Sequence, residues 1–161
     1  RIVKLVEKPA VPESNLAMAG LYFFGPQIWD VLPHLSPSAR GEYEITDAIQ
    51  MLIDGGEQVL AGVYEGTWFD TGTLDSFLDT SRFLIAGGHR IADTAQVQAE
   101  IGASVVIGQG ALVEAADLDD CVILPGARVS VNGAVKHSLL GGEVTHDGDL
   151  AGVIAFGSER C

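Results

Sequence analysis

The feature that most constrains the fold is a six-residue spacing of aliphatic residues in the second half of the chain. Two runs of three keep this spacing: Ile101, Ile107, Val113 and then Ile123, Val129, Val135. Gly102 and Gly108 directly follow two of them. Such a period is typical of a parallel β-helix, in which one aliphatic side chain per face fills a narrow interior and a small residue takes the corner. A small β-sandwich is the alternative that this spacing leaves open.

The first 88 residues instead alternate between strand-like and helix-like patterns. Short runs rich in aliphatic and aromatic residues predict strands at 2–6, 17–24 and 58–64. Apolar residues recur at helical spacing over 45–53 and predict an amphipathic helix, with Thr46 as its N-cap. Residues 1–88 are therefore expected to form an α/β domain, and residues 89–161 a β-helix domain.

Two further helices are expected in the first 88 residues. One has Pro26 at its first position and should be short or kinked, because Pro33 falls inside it. The other should be capped by Thr73 and should end near Gly87 and Gly88. Both predictions depend on residues that restrict the backbone or cap a helix terminus.

Composition limits the partners and the compartment. The formal net charge of −13 argues against nucleic-acid or anionic-membrane binding, so an anionic substrate would have to be held by a few local cations or a metal. Two cysteines, Cys121 and Cys161, make no disulfide framework, and neither a signal peptide nor a membrane-spanning run is visible. We therefore expect a cytoplasmic protein. Because Arg1 opens directly into a strand-like segment, we also expect a fragment of a longer enzyme.

The first candidate site residues lie at the end of the first predicted strand. Pro9 has no N–H to donate, so it ends strand pairing and would leave Glu7 and Lys8 at a carboxyl-terminal strand edge. Open α/β sheets bind ligands at that edge. Lys8 could neutralise a phosphate and Glu7 could accept hydrogen bonds from sugar hydroxyls. A solvated strand end explains the same residues.

Two further candidates follow in the chain. Arg40 presents a planar fork that can grip phosphate oxygens in pairs, although a surface ion pair with Glu42 or Glu44 is an equal alternative. Asp70, flanked by aromatic residues before the last helix, suits Mg²⁺; its alternative is a structural capping role. No shared metal-ligand spacing joins the four histidines, which are His34, His89, His137 and His146.

Six motifs in order give the chain a family resemblance. They are Val6-Glu7-Lys8-Pro9, Pro12-x-Ser14-Asn15-x-Ala17, Gly20-Leu21-Tyr22-Phe23, Pro37-Ser38-Ala39-Arg40-Gly41-Glu42, Glu44-Ile45-Thr46-Asp47 and Trp68-x-Asp70-Thr71-Gly72-Thr73. Their order and spacing resemble those of glucose-1-phosphate thymidylyltransferases, in the sugar-1-phosphate nucleotidyltransferase family. The match spans about residues 1–86. The tail more loosely resembles that of the family's long form.

The resemblance implies a fold and a reaction. The fold is the C-terminal half of a Rossmann-like nucleotidyltransferase domain, followed by a small left-handed parallel β-helix of hexapeptide repeats. The reaction joins a nucleoside triphosphate, expected to be dTTP, to glucose 1-phosphate and gives dTDP-glucose and pyrophosphate. A homo-oligomer is also expected, because a β-helix ends in exposed strand edges that favour packing against another subunit.

The resemblance also implies residue roles. Arg40 and Lys8 hold the sugar phosphate, Glu7 binds sugar hydroxyls, Met18 offers backbone contacts, Tyr22 walls the pocket and Asp70 is a magnesium ligand. No catalytic residue is expected in this chain. The family's glycine-rich loop, with its Arg and catalytic Lys, and a second magnesium-binding Asp are expected upstream of Arg1, and the chain alone is expected to be inactive.

Three alternatives remain. A related nucleotidyltransferase could use UTP, GTP or ATP, or another sugar phosphate such as mannose 1-phosphate. A hexapeptide-repeat acyltransferase would use His137 or His146 as its catalytic base. Finally, the tail could be a non-catalytic assembly or regulatory module, which is expected alongside catalysis.

Overall fold

The second half of the chain winds into a parallel β-solenoid. The computed structural model describes residues 1–157 and divides the chain into two compact units, Arg1–Trp68 and Phe69–Cys161. The β-strands of the second unit are β1 (His89–Ile91), β2 (Gln96–Ile101), β3 (Val105–Ile107), β4 (Leu112–Ile123), β5 (Arg128–Asn132), β6 (Val135–Gly141), β7 (Glu143–Asp147), β8 (Leu150–Ala151) and β9 (Ile154–Phe156). Their recorded pairings are parallel throughout. The prediction of a parallel β-helix is confirmed; Cys161 lies outside the described residues.

The strand register arranges the coil in three stacks, one for each face. The first stack holds residues 89–91, 105–107, 121–123, 138–141 and 154–156, the second 96–98, 112–114, 128–130 and 143–145, and the third 100–101, 117–119, 135–136 and 150–151. Partners lie 15 to 17 positions apart, as in Val129 with Val144 and Leu118 with Val135. A turn is therefore slightly shorter than three full hexapeptides.

The interior of the solenoid contains the aliphatic residues that the six-residue spacing identifies. Ile107, Val113, Ile123, Val129 and Val135 are buried in one continuous core, and Ile101 is half-buried against it. Leu118 is also fully buried there, between the two runs, on the third face. Because one side chain per face enters the coil, these residues form columns along its axis.

The glycines after Ile101 and Ile107 occupy corners with no room for a side chain. A Cβ at Gly108 would lie 2.4 Å from the backbone nitrogen of Pro125, and one at Gly102 would lie 2.6 Å from Asp119 Oδ1 and 3.0 Å from the carbonyl oxygen of Leu118. Real Cβ atoms essentially never approach another heavy atom this closely, within 3.0 Å. The prediction that glycine takes the tight corner is confirmed at both positions.

Helix α3 (Leu74–Leu84) packs on the outer surface of the first stack. Its start is a reciprocal capping box: the Ser76 backbone N–H donates to Thr73 Oγ1 (3.2 Å), and the Thr73 N–H donates to Ser76 Oγ (3.1 Å). Leu78 is buried against Val122 and Leu139 of the solenoid. The predicted helix capped by Thr73 is confirmed.

The first unit contains the other two predicted helices. Helix α1 (Ile28–Val31) runs directly into a 3₁₀ turn (Leu32–His34), the short, interrupted form that Pro33 predicts. Helix α2 (Ile45–Asp54) is amphipathic and buries Ala48 and Leu52 against Ile28.

The predicted cap of α2 was wrong. Glu44, in an extended conformation, is the N-cap, and Thr46 is the second helical residue. The helix begins one residue before the predicted cap because Ile45 already has helical geometry. The Thr46 hydroxyl makes a bond to another segment instead, as described below.

The three predicted strands of the first unit are not formed. Among the described residues, segments 2–6, 17–24 and 58–64 contain no strand, and a single backbone hydrogen bond, from Ile2 N–H to Val59 C=O (2.9 Å), joins two of them. The reason is that strand propensity needs a paired neighbour and a covered face. Phe23, for example, stays 92% exposed.

No helix among residues 1–157 is long and apolar enough to cross a membrane.

Candidate functional site

Arg40 of the first unit is surrounded by three glutamates. Its Nη2 lies 2.9 Å from Glu42 Oε2, and its Nη1 lies 3.4 Å from Glu44 Oε1 and 3.7 Å from Glu7 Oε1. We call these four residues the Arg40 cluster. It joins two of the predicted substrate-binding residues, Glu7 and Arg40, which come from separate motifs.

A tight loop before α2 places Arg40. The Ser38 N–H donates to the carbonyl of Glu42, and the Gly41 N–H donates to the carbonyl of Ser38, each at 2.8 Å. Gly41 has φ +76°, a left-handed conformation that glycine adopts without strain. Ser38 Oγ accepts from the Arg40 N–H (3.2 Å) and donates to Glu44 Oε1 (3.0 Å). The hydroxyl therefore holds the loop and the helix cap together.

Thr46, the residue that was predicted to cap α2, holds Glu7 to that helix. Thr46 Oγ1 donates to Glu7 Oε2 (3.1 Å), although the two residues lie 39 positions apart. Two positions earlier, the Leu5 N–H donates to Gln50 Oε1 (2.8 Å). The segment leading to Glu7 is thus tied to the surface of α2 at two points, and this brings the Glu7 carboxylate beside Arg40.

The other predicted substrate-binding residues of the first unit are exposed or stacked. Lys8 follows Glu7, is exposed and has φ +38°, which turns the chain sharply after the carboxylate. Met18 is exposed, and the Tyr22 ring stacks on Phe24 with 5.9 Å between centroids. Within residues 1–157, neither Met18 nor Tyr22 makes a hydrogen bond to the Arg40 cluster. Their roles stay predictions.

Asp70, the predicted magnesium ligand, belongs to the second unit. It lies exposed in the loop that precedes α3, beside Phe69, whose ring packs against Phe83 with 5.0 Å between centroids. Thr73 caps α3, so Asp70 does not fill the capping role that was its alternative.

The donor set limits the kind of metal site that these residues can form. In the part of the chain described, no group of three or more His, Cys, Asp or Glu residues is placed to hold a metal ion. A lone carboxylate such as Asp70 nevertheless fits Mg²⁺ chemistry, because Mg²⁺ commonly binds one or two protein carboxylates together with substrate phosphates and water. Asp70 is thus a single carboxylate of the kind that a substrate-completed magnesium site uses.

The second unit contains an ion network that the sequence did not predict. His137 Nδ1 lies 2.7 Å from Asp120 Oδ2, and His137 Nε2 lies 2.7 Å from Asp75 Oδ1 on α3. Arg82 of α3 donates to both oxygens of Asp120, at 2.7 and 3.0 Å, and also contacts Asp79. We call these five residues the His137 network; it ties α3 to a corner of the solenoid.

The network shifts the titration of its members. Hydrogen bonds to Asp120 and then Asp75 raise the pKa of His137. The bond from Arg82, followed by that from His137, lowers the pKa of Asp120. Both ring nitrogens of His137 face carboxylates, so this histidine is not a free base as an acyltransferase would require. The sequence contained no signal for the network, because His137 and Asp75 lie 62 residues apart.

Cys121 behaves as a core residue. Its side chain is fully buried in the solenoid, and burial raises the pKa of the thiol to about 12. Within the solenoid, Cys121 therefore acts as a small apolar residue.

The fold and the site together define a two-part α/β protein, in which a unit with an arginine–carboxylate cluster at the start of a helix precedes a parallel β-solenoid. Residues 1–87 match the family model described as nucleotidyl transferase, and the chain belongs to that family. The predicted relationship to sugar-1-phosphate nucleotidyltransferases is confirmed by this match and by the relatives described next.

Curated relatives include two glucose-1-phosphate thymidylyltransferases. The one from Streptomyces antibioticus is 43% identical over 114 residues, covering 70% of this chain and 32% of the relative. The one from Streptomyces griseus is 32% identical over 179 residues, covering 89% of this chain and 50% of the relative. The low-salt glycan biosynthesis nucleotidyltransferase Agl11 of Haloferax volcanii is 43% identical over 84 residues, covering 52% of this chain and 24% of the relative. The chain thus spans half or less of each relative.

Proposed function

We propose that this chain forms the sugar-phosphate and magnesium side of an active site that transfers a nucleotidyl group from dTTP to glucose 1-phosphate, giving dTDP-glucose and pyrophosphate. The observation that carries the proposal is the Arg40 cluster, where a guanidinium for phosphate and the Glu7 carboxylate for sugar hydroxyls lie side by side. The names of the thymidylyltransferase relatives support the choice of substrates.

The chemistry requires positioning and charge neutralisation more than a covalent group. The sugar phosphate oxygen attacks the α-phosphorus of the triphosphate in line and displaces pyrophosphate, so negative charge accumulates at the reacting centre. Arg40 would grip the phosphate through its planar fork, and Lys8 would add a point charge. On a chain with a formal net charge of −13, these local cations are what permits an anionic substrate to bind.

The uncharged parts of the sugar would be held by other residues. Glu7 would accept hydrogen bonds from sugar hydroxyls, and its bond to Thr46 fixes the orientation of the carboxylate. Met18 would contribute backbone contacts, and Tyr22 would wall the pocket. These contacts orient the sugar phosphate without taking part in proton or bond exchange.

Asp70 would hold Mg²⁺ together with phosphate oxygens of the substrates. The bound ion would supply electrostatic screening of the crowded phosphates. Asp70 would contribute one anionic oxygen ligand, and its exposure leaves the carboxylate accessible to an incoming metal–nucleotide complex.

The proposal also includes the base of the nucleoside triphosphate and the oligomeric state. We favour dTTP over UTP, GTP or ATP, and glucose 1-phosphate over other sugar phosphates. A cytoplasmic homo-oligomer, with the solenoid also serving in assembly, is the form in which we expect the enzyme to act. Turnover of the four triphosphates by the full-length enzyme tests the base preference directly.

The decisive experiment replaces Arg40 by Lys in the full-length enzyme. Losing a paired, charge-assisted contact should raise the KM for glucose 1-phosphate by about 10- to 100-fold and leave the KM for dTTP within about twofold. The matched control is Arg90→Lys, since Arg90 is an exposed arginine on the solenoid. An unchanged KM for glucose 1-phosphate in the Arg40 variant would refute the assignment.

A further inference from the structure

The three carboxylates around Arg40 differ in how firmly they are held. The Glu44 side chain is only 10% exposed, whereas that of Glu42 is 59% exposed and that of Arg40 is 39% exposed. Glu44 and Glu7 both face Nη1, and among residues 1–157 Glu42 alone faces Nη2. The guanidinium therefore has a fixed edge and an exposed edge.

Glu44 cannot leave its position easily. It is the N-cap residue of α2, and its carboxylate accepts hydrogen bonds from Ser38 Oγ and from Arg40. A buried carboxylate that lost these donors would remain desolvated and uncompensated, which is costly. Arg40 is consequently held through Nη1, with its orientation set by a buried anchor.

Glu42 can leave at little cost. Its pair with Arg40 is exposed and screened by water, and such pairs add little stability. It follows Gly41, whose left-handed backbone sits at the tip of the loop. Yet its 2.9 Å contact with Nη2 has the length of the charge-assisted bond that a phosphate oxygen would make there. Glu42 occupies the position that a phosphate would need.

The charges around Arg40 favour this exchange. One guanidinium faces three carboxylates, so a phosphate dianion would approach a net negative cluster while all three remain. Resting on the proposed function, we propose that Glu44 is a positioning residue that aims Arg40, and that the sugar phosphate displaces Glu42 from Nη2. Glu42 is then an internal competitor that weakens the binding of sugar phosphate.

Two isosteric variants of the full-length enzyme test the two parts of this proposal, the displacement of Glu42 and the positioning role of Glu44. Glu42→Gln removes the competing charge and should lower the KM and the calorimetric Kd for glucose 1-phosphate by about three- to tenfold, with kcat not reduced. Glu44→Gln loosens the anchor and should raise both constants by about fivefold or more. The KM for dTTP should not change in either variant. Glu57→Gln, at an exposed glutamate of the same unit, is the control.

The outcomes separate this inference from the proposed function. If Glu42→Gln leaves the Kd for glucose 1-phosphate equal to or above that of the wild type, the exchange is wrong; if Glu44→Gln leaves it unchanged, the positioning role is wrong. Ser38→Ala, which removes only the hydroxyl bonded to Glu44, should raise the Kd in the same direction and decides the matter if Glu44→Gln does not fold. Loss of the proposed function itself would appear as an Arg40→Lys variant that binds glucose 1-phosphate normally.

Discussion

Leu118 offers the sharpest test of the solenoid, because it fills the third face between the two regular aliphatic runs. It is fully buried and pairs with Ile101 in the preceding coil and Val135 in the following one. Leu118→Ala removes three buried carbons, worth about 2.4 kcal/mol at about 0.8 kcal/mol per buried CH₂. The cavity left in a narrow coil raises the total to about 3–4 kcal/mol.

The assay is thermal and urea unfolding of the full-length protein, combined with hydrogen exchange of strands β2, β4 and β6. At about 4–8 °C per kcal/mol for a unit of this size, the transition of the solenoid should fall by at least 12 °C. Leu84→Ala makes the same chemical change at a residue that is 75% exposed, and should cost under about 0.5 kcal/mol. If the two variants are equally stable, Leu118 does not complete the core.

Two further predictions concern titration and metal. Because the pKa of His137 is raised, its ion pairs stabilise the fold below the unfolded pKa of about 6.5, and this stability is lost as pH rises through the higher folded value. Asp120, whose pKa is lowered, loses its contribution only below about pH 4. The melting temperature of the wild type should therefore exceed that of His137→Gln most between about pH 4 and 6.5, and a gap independent of pH would contradict this; His89→Gln is the control. Asp70→Asn in the full-length enzyme should reduce turnover about tenfold or more and raise the Mg²⁺ concentration needed for half-maximal rate, without changing the melting temperature; an unaltered Mg²⁺ dependence would refute its role as ligand.

Local signals in the sequence were sufficient to predict the three helices. The amphipathic period of α2, the interruption of the first helix at Pro33 and the cap at Thr73 all depend on residues within one or two turns of one another. The Thr46 cap failed because α2 already begins at Ile45, and the Thr46 hydroxyl instead bonds Glu7, 39 residues earlier. The three strands of the first unit failed similarly, because pairing depends on a partner that a short window does not contain.

The solenoid shows how far a repeat can be followed from its spacing alone. The six aliphatic residues with this spacing, from Ile101 to Val135, were identified as interior residues because one aliphatic side chain must enter the coil on each face. Leu118 was missed because it lies five positions from both Val113 and Ile123, so it breaks the period although it continues the core. One turn of the coil contains 15 to 17 residues, so some spacings between interior residues must be shorter than six. Where these shorter spacings occur depends on how each turn of the coil is completed.

The sequence by itself determined the family, the parallel coil and the identity of the charged residues, because motifs, periodicity and side-chain chemistry are properties of short segments. Only the tertiary structure decided which charges meet. It brought Glu7 against Arg40 and Thr46, buried the Glu44 carboxylate beside Arg40 while leaving that of Glu42 exposed, and placed His137 between Asp75 and Asp120. Such contacts join positions far apart in the chain, and burial, which sets their strength, exists only once the chain is folded.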